Sequence, residues 1–137
     1  MATTIKISAL VNAPIQKVWD CWTNPEHITK WNFAIDTWQC PTASNDLRVG
    51  GKYTARMEAK DGSFGFDFEA IYDVVSDEQE LTYTMTDGRK ATTIFESKDN
   101  ATSVTTTFDA ENENPIEMQQ QGWQSILDNF KKYTETN

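Results

Sequence analysis

Hydrophobic and polar residues alternate along several stretches of the chain, which is the pattern of β-strands that bury one face. The clearest stretch follows a turn signal at 60–62, where every second residue between positions 64 and 72 is hydrophobic and Asp67 and Glu69 occupy the opposite face. Short polar turns separate the later strands, as in antiparallel hairpins. The pattern predicts an antiparallel sheet, with further strands at 3–11, 52–58, 81–85, 91–97 and 101–109.

Hydrophobic residues at helical spacing predict two short helices after the first strand. The first is expected at 14–22, because Pro14 suits the first turn of a helix. The second begins at Pro25, and either Thr23 or Asn24 can cap it. Two helices in tandem, separated by a kink, are therefore expected.

A third and longer helix is expected at 115–133, about 28 Å in length, and Asn114 can cap its first turn. Before the sheet, residues 33–38 fit either a strand or an extended arm, and 42–46 fit a loop. Gly50-Gly51 fits a bulge or sharp bend at the start of a strand. The order of elements predicts an α+β fold in which a curved antiparallel sheet wraps around the last helix.

The length and charge of the chain restrict its partners. Its 137 residues fit a single domain spanning 1–137, and its net charge is −9. Nucleic-acid binding requires basic side chains to displace counter-ions from phosphates. We therefore expect this acidic chain to bind neither nucleic acid nor an anionic membrane surface. No stretch approaches the ~18 apolar residues of a membrane span, and the N-terminal residues lack a signal-peptide pattern. We expect a cytoplasmic protein without membrane insertion.

Few residues offer catalytic or metal-binding chemistry. The two cysteines, Cys21 and Cys40, and the single histidine, His27, match no metal-binding spacing, so we expect no metal and no cofactor. Two thiols without a disulfide framework suit a reducing compartment. His27 is expected to be exposed or locally bonded, and Asp67 and Glu69 are expected in solvent on the outer face. No residue is therefore assigned a catalytic role.

The aromatic residues, 5 Trp, 7 Phe and 4 Tyr, are the most informative feature. They can fill the space between the sheet and the last helix as a packed core, or leave a partial cavity of roughly 300–1,000 Å³. In the cavity interpretation Gly50-Gly51 shapes the entrance, and Gln119 or Gln120 supplies polar contacts beside two tyrosines. The candidate ligand-binding residues are Trp31 and Trp38 at the rim, with Tyr53, Met57, Phe66, Phe68, Tyr83, Met85, Gln119, Trp123 and Leu127.

Several motifs resemble those of a known family. The segment APIQKVWDCWTNPEHITKW at 13–31 resembles the opening of the SRPBCC (START/Bet v 1-like) superfamily, and within it the AHSA1-like branch, which is related to the C-terminal domain of the activator of Hsp90 ATPase. DLRVGGKY at 46–53, LTYT at 81–84 and GWQSILDNF at 122–130 are similar to later parts of that branch. A Pro-Pro turn of the branch is replaced here by residues 76–80. The matching positions in the first segment are Pro14, Val18, Trp19, Trp22, Thr23, Pro25, Glu26 and Trp31.

The resemblance implies a helix-grip fold with a deep hydrophobic pocket. Members of the superfamily include lipid and hormone carriers, polyketide cyclases or aromatases, and Hsp90 co-chaperone domains, and no catalytic residues define the AHSA1-like branch. We expect this domain to stand alone, without the N-terminal domain of the full Hsp90 activator, as a monomer or weak homodimer.

Three hypotheses about function follow. The first is a protein that binds a small apolar or aromatic molecule between the sheet and the last helix. The second is an interaction module for an Hsp90-like chaperone. The third, a cyclase or hydratase, comes last because the expected pocket offers only tyrosines and glutamines as polar groups.

Overall fold

The fold is built on a curved antiparallel sheet that wraps around a long C-terminal helix. The structure, a computed structural model, describes residues 3–136. Its strands are β1 (Thr4–Val11), β2 (Trp38–Gln39), β3 (Ala43–Asn45), β4 (Lys52–Ala59), β5 (Gly65–Ser76), β6 (Glu80–Met85), β7 (Lys90–Lys98) and β8 (Ala101–Asp109). Within the described residues the sheet has eight strands in the order β1-β8-β7-β6-β5-β4-β2, and β3 also pairs with β4.

Three helices complete the described part of the chain. They are α1 (Ile15–Thr23), α2 (Pro25–Trp31) and α3 (Ile116–Thr136). None of them is long and apolar enough to cross a membrane. The helix-grip architecture expected from the sequence, with two short helices after the first strand and one long helix at the end, is confirmed.

The buried face of the sheet follows the alternation of the sequence. In the pairing of β1 with β8, Ile5 lies opposite Phe108 and Ile7 lies opposite Thr106, and all four residues are buried. The residues between them on each strand are more exposed. One face of the sheet therefore supplies half of a hydrophobic core, and the helices supply the other half.

The hydrophobic stripe of β5 extends beyond the core at its N-terminal end. Ala70 and Tyr72 are buried, but Phe66 is 44% exposed and Phe64, which precedes the strand, is 62% exposed. Both rings lie near the turn of the β4–β5 hairpin, where Ala59 N–H donates to the carbonyl oxygen of Phe64. The alternation of the sequence puts Phe64 on the same face as Ala70 and Tyr72, but its side chain lies at the hairpin end, outside the packed core.

Asn24 separates the two short helices. Its side-chain oxygen accepts a hydrogen bond from Glu26 N–H at 3.0 Å, and Pro25 occupies the first turn of α2. Thr23, the other candidate cap, instead donates its hydroxyl to the carbonyl oxygen of Trp19 within α1. Of the two candidate caps, it is therefore Asn24 that caps α2.

The start of α3 is held by a glutamine rather than by the expected cap. The Asn114 side chain donates to the Glu111 carboxylate instead of accepting from the helix. Gln119, which is buried, accepts from Glu111 N–H at 2.9 Å and donates to the Asn114 carbonyl oxygen at 2.8 Å. The side chain of Gln119 thus fixes the loop that leads into the helix.

The segment between α2 and β4 differs most from the sequence expectation. Residues 34–37 form bends and a turn rather than a strand or arm, and β2 is limited to two residues. The loop expected at 42–46 contains β3, in which Ala43 lies opposite Ala55. These small polar residues have weak β-propensity, but the edge of β4 supplies backbone partners, including a bond from Arg56 N–H to the carbonyl oxygen of Thr42.

The bend expected at Gly50-Gly51 is present. Gly50 has a φ of 83°, a conformation that favours glycine. A Cβ atom on Gly51 would lie 2.0 Å from the carbonyl oxygen of Asp46, so this backbone approach also requires glycine. The two glycines let the loop after β3 turn sharply into β4.

Candidate ligand-binding cavity

A cavity of about 200 Å³ lies between the concave face of the sheet and α3. It is smaller than the roughly 300–1,000 Å³ expected from the sequence, because aromatic side chains fill much of the hollow. Eight of the candidate residues line it: Trp31, Tyr53, Met57, Phe66, Phe68, Tyr83, Trp123 and Leu127. The space between the sheet and α3 is thus not fully packed, but the cavity left there is smaller than expected.

Three candidate residues lie outside the cavity lining. Trp38 packs near Phe64 and Phe66 at the outer end of the β4–β5 hairpin. Met85 is buried in the core, with 5% of its surface exposed, but does not reach the cavity. The side chain of Gln119 is hydrogen-bonded to the backbone of the loop before α3. Gly50-Gly51 does not contribute to the lining either.

Seven lining residues are absent from the sequence-based candidates: Ile7, Trp22, Asn32, Tyr72, Thr93, Thr106 and Ile126. Four of them could have been predicted from the alternation of residues along the strands. Ile7, Tyr72, Thr93 and Thr106 occupy inward positions of their strands, where the alternating residues are buried.

Four of the aromatic rings on the sheet side of the cavity pack against one another, and we call them the ring wall: Tyr53, Phe68, Tyr72 and Tyr83. The rings of Tyr53 and Tyr83 are nearly parallel, with centroids 6.0 Å apart. Phe68 packs edge-on against both, at 5.8 Å from Tyr83 and 6.0 Å from Tyr53. Such mutual packing holds the rings in place and presents apolar surface to the cavity.

The helix side of the cavity is also aromatic. Trp22 and Trp31 stack with centroids 5.1 Å apart, and the buried ring of Phe130 meets both edge-on. The indole N–H of Trp31 donates to the carbonyl oxygen of Cys21 at 2.9 Å, which fixes its orientation. The short helices therefore contribute rigid rings that close the cavity opposite the ring wall.

The cavity is lined by uncharged side chains. No Asp, Glu, His, Lys or Arg occurs among the lining residues of the described chain. The hydroxyl of Tyr53 accepts from Asn32 at 3.3 Å, and Tyr72 donates to Asn45 at 2.8 Å. Burial raises the pKa of Tyr53, Tyr72 and Tyr83 above the ordinary value of tyrosine. These phenols are therefore neutral near pH 7 and act as hydrogen-bonding or packing groups.

Comparison with known proteins places this architecture in a family. The family model described as "Activator of Hsp90 ATPase homolog 1-like protein" matches residues 12–135. The chain belongs to the AHSA1-like family. This family is part of the SRPBCC superfamily, whose fold commonly binds hydrophobic ligands. No match was found among curated proteins.

Solved structures of AHSA1-like and related proteins agree with the fold. The solution structure of the AHSA1-like protein from Aeromonas hydrophila is 42% identical in sequence, covers 98% of this chain and 93% of its own, and superimposes with a TM-score of 0.92. A solution structure from Cytophaga hutchinsonii is 46% identical, with the same coverage and a TM-score of 0.84. A crystal structure from Nitrosomonas europaea, 20% identical, covers 97% of this chain and 94% of its own with a TM-score of 0.84, and shows the shared fold.

The remaining chemical groups of this AHSA1-like chain lie away from the cavity. His27 is half-buried, with Nδ1 2.6 Å from the Tyr133 hydroxyl and Nε2 3.2 Å from an Asp20 carboxylate oxygen. It therefore joins all three helices at the surface. Cys21 and Cys40 are buried and unpaired with each other, and burial raises the pKa of Cys40 to about 11. In the described residues, no three His, Cys, Asp or Glu side chains form a metal-binding group.

Proposed function

We propose that the protein binds a small, neutral, aromatic or apolar molecule in the cavity between the ring wall and α3. The observation that carries this proposal is an aromatic-lined space of about 200 Å³ without a charged side chain, inside a fold that commonly binds hydrophobic ligands. Concave, mostly apolar sites with few polar groups are typical of small-molecule binding.

The volume of the cavity restricts the size of the ligand. An apolar protein cavity of about 150 Å³ holds one benzene molecule. The cavity here, at about 200 Å³, suits a substituted single ring rather than a long lipid. Rigid packing among the surrounding rings limits how far the space can expand, because protein interiors are close-packed. We therefore propose single-ring aromatic compounds as the class of ligand.

The cavity has a route to solvent at its β4–β5 end. Phe66 is 44% exposed although it contributes to the lining, and Met57 and Asn32 are partly exposed. A side chain that faces both the cavity and solvent marks the place where a ligand can enter. We propose that Phe66 lies at the mouth in the position that the sequence suggested for Trp38.

A titration with p-xylene, followed by amide chemical shifts in NMR, tests the proposal. Ile126 lines the cavity, so Ile126→Phe should fill part of the space and weaken binding at least tenfold. Ile116 lies on the same helix, is 41% exposed and is outside the lining, so Ile116→Phe is the matched control and should bind as the original protein does. If p-xylene shifts no cavity amides, or if both variants bind equally, the proposal is wrong.

A second candidate function is an interaction with an Hsp90-class chaperone. It is favoured by the family description and by a surface cluster of three rings, Trp38, Phe64 and Phe66, whose centroids lie 5.9–6.4 Å apart. The test is stimulation of the ATPase of an Hsp90-class chaperone. Stimulation that is lost in Phe64→Ala but kept in Ile126→Phe supports this function, and absence of stimulation removes it.

We propose a reducing, cytoplasmic location for the protein, on the basis of its cysteines. Cys21 lies in α1 and Cys40 directly follows β2, and both thiols are buried. Unpaired thiols are typical of reducing compartments.

Acid–base catalysis receives no support from the cavity, because the titratable groups in its lining are tyrosines whose pKa is raised by burial.

A further inference from the structure

Two buried threonines on neighbouring strands belong to the lining of the cavity. Thr93 of β7 lies opposite Thr106 of β8, and their side-chain oxygens are 2.8 Å apart. Only 6% of Thr93 and 3% of Thr106 is exposed, and both residues line the cavity. We call them the inner threonine pair. They are polar groups in a lining that is otherwise mostly aromatic and aliphatic.

The inner threonine pair has one hydroxyl proton for which the pair itself provides no hydrogen-bond acceptor. Each hydroxyl carries one proton and two lone pairs. One hydroxyl donates to the other, so the proton of the second hydroxyl needs an acceptor elsewhere. Within residues 3–136, neither side chain has a further hydrogen-bond partner. A buried donor without an acceptor is costly, and native proteins rarely leave one unmatched.

A second threonine pair on the opposite face of the same sheet shows the contrast. Thr82 and Thr92 are also cross-strand partners, with oxygens 2.9 Å apart. Here Thr82 donates to a Glu80 carboxylate oxygen at 3.0 Å, which leaves Thr92 to donate to Thr82. Both protons of this outer threonine pair are satisfied by the protein. The unmet proton is therefore specific to the pair that faces the cavity.

From these observations we infer that the inner threonine pair is a hydrogen-bonding subsite that receives the oxygen of a neutral aromatic alcohol or carbonyl compound. This inference rests on the proposed function and adds the chemistry of the ligand to it. The free proton donates to the ligand oxygen, and the lone pairs left on the two hydroxyls can accept a proton from an alcohol. A carboxylate or ammonium group is disfavoured, because the cavity lining offers no opposite charge.

An ordered water is the competing occupant of this subsite. A buried water requires two to four polar partners, and the inner threonine pair provides two. Water and ligand make different predictions. A ligand oxygen bound directly at the pair brings the ligand atoms beside it next to the threonine methyl groups, whereas a retained water separates the ligand oxygen from the pair.

The test compares p-cresol with p-xylene, which differ by a hydroxyl in place of a methyl group. Dissociation constants are measured by NMR for the original protein, for Thr93→Val/Thr106→Val, and for Thr82→Val/Thr92→Val as the matched control. The preference for p-cresol over p-xylene should fall roughly twofold to tenfold in the inner double variant. It should be unchanged in the outer variant, whose hydroxyls face away from the cavity.

The outcomes separate this inference from the proposed function. If both compounds bind the original protein but the preference is the same in the inner variant, the subsite is wrong and the cavity function stands. If neither compound binds, both the subsite and the proposed cavity function are wrong. Nuclear Overhauser contacts in the original protein provide a measurement that needs no folded variant. Ring protons beside the p-cresol hydroxyl should contact the Thr93 and Thr106 methyl groups, and contact from the p-cresol methyl group instead would overturn the inference.

Discussion

Trp123 of α3 lies flat against Phe108 of β8, with ring centroids 3.8 Å apart and planes 12° apart. Phe108 is 1% exposed and belongs to the core, while Trp123 also lines the cavity. This stack joins the helix to the sheet beside the cavity. It therefore contributes to both the stability of the fold and the shape of the binding space.

Removal of the Phe108 ring should strongly destabilise the protein. Phe108→Ala leaves a void under Trp123, and we expect a loss of about 3–5 kcal/mol in the free energy of unfolding. Phe64→Ala is the matched control, because Phe64 is 62% exposed, and it should change stability by less than about 0.5 kcal/mol. Urea unfolding followed by tryptophan fluorescence measures both. Equal effects of the two substitutions would contradict the assignment of Phe108 to the core.

Two glycines should respond in opposite directions to the same substitution. Gly51→Ala places a Cβ atom 2.0 Å from a backbone oxygen, so we expect a loss of more than about 1 kcal/mol. Gly122 lies in α3, where an added Cβ atom would meet no atom within 4 Å outside the backbone of the helix itself. Gly122→Ala should therefore gain about 0.5–1 kcal/mol. Thermal unfolding compares them. A stabilising Gly51→Ala would show that the bend before β4 does not require glycine.

The buried tyrosines should make the protein sensitive to alkali. Burial raises the pKa of Tyr83 in the native state, whereas in the unfolded state it ionises near pH 10. Above that pH the unfolded state loses the proton that the native state keeps, so the unfolding free energy decreases as pH rises. Below it, this contribution to stability is fully present.

Tyr83→Phe isolates the contribution of one phenol. Above about pH 10, the unfolding free energy of the original protein should fall more steeply than that of the variant, by up to about 1.4 kcal/mol per pH unit. Lysines titrate in the same range but are common to both proteins, so they cancel in the comparison. Urea unfolding at a series of pH values measures the difference. Parallel slopes would mean that Tyr83 ionises in the native state as readily as in the unfolded state.

Alternation along the strands was sufficient to predict the ring wall in part. Tyr53, Phe68 and Tyr83 are inward residues of consecutive strands, so the period of two places them on one face. The same rule failed for Phe64, because it cannot tell where a hairpin leaves the core. Local pattern also cannot show that Gln119 is needed by its neighbouring loop, since that role depends on how the chain returns from β8 into α3.

The size of the cavity and the threonines in its lining could not be predicted from the sequence. Volume depends on how rings from distant elements pack, as in the contact of Trp22 and Trp31 with Phe130. The inner threonine pair was missed because threonine is common on exposed sheet faces as well as buried ones. Only the pairing of β7 with β8 shows that Thr93 and Thr106 contact each other in the lining of the cavity.

A crystal structure of the protein soaked with 4-bromotoluene tests the central claim most directly, because anomalous scattering locates bromine without ambiguity. We expect a bromine peak inside the cavity, between the ring wall and Leu127 of α3, and its loss in crystals of Ile126→Phe. An empty cavity, with bromine found only against the surface rings of Trp38, Phe64 and Phe66, would contradict the account.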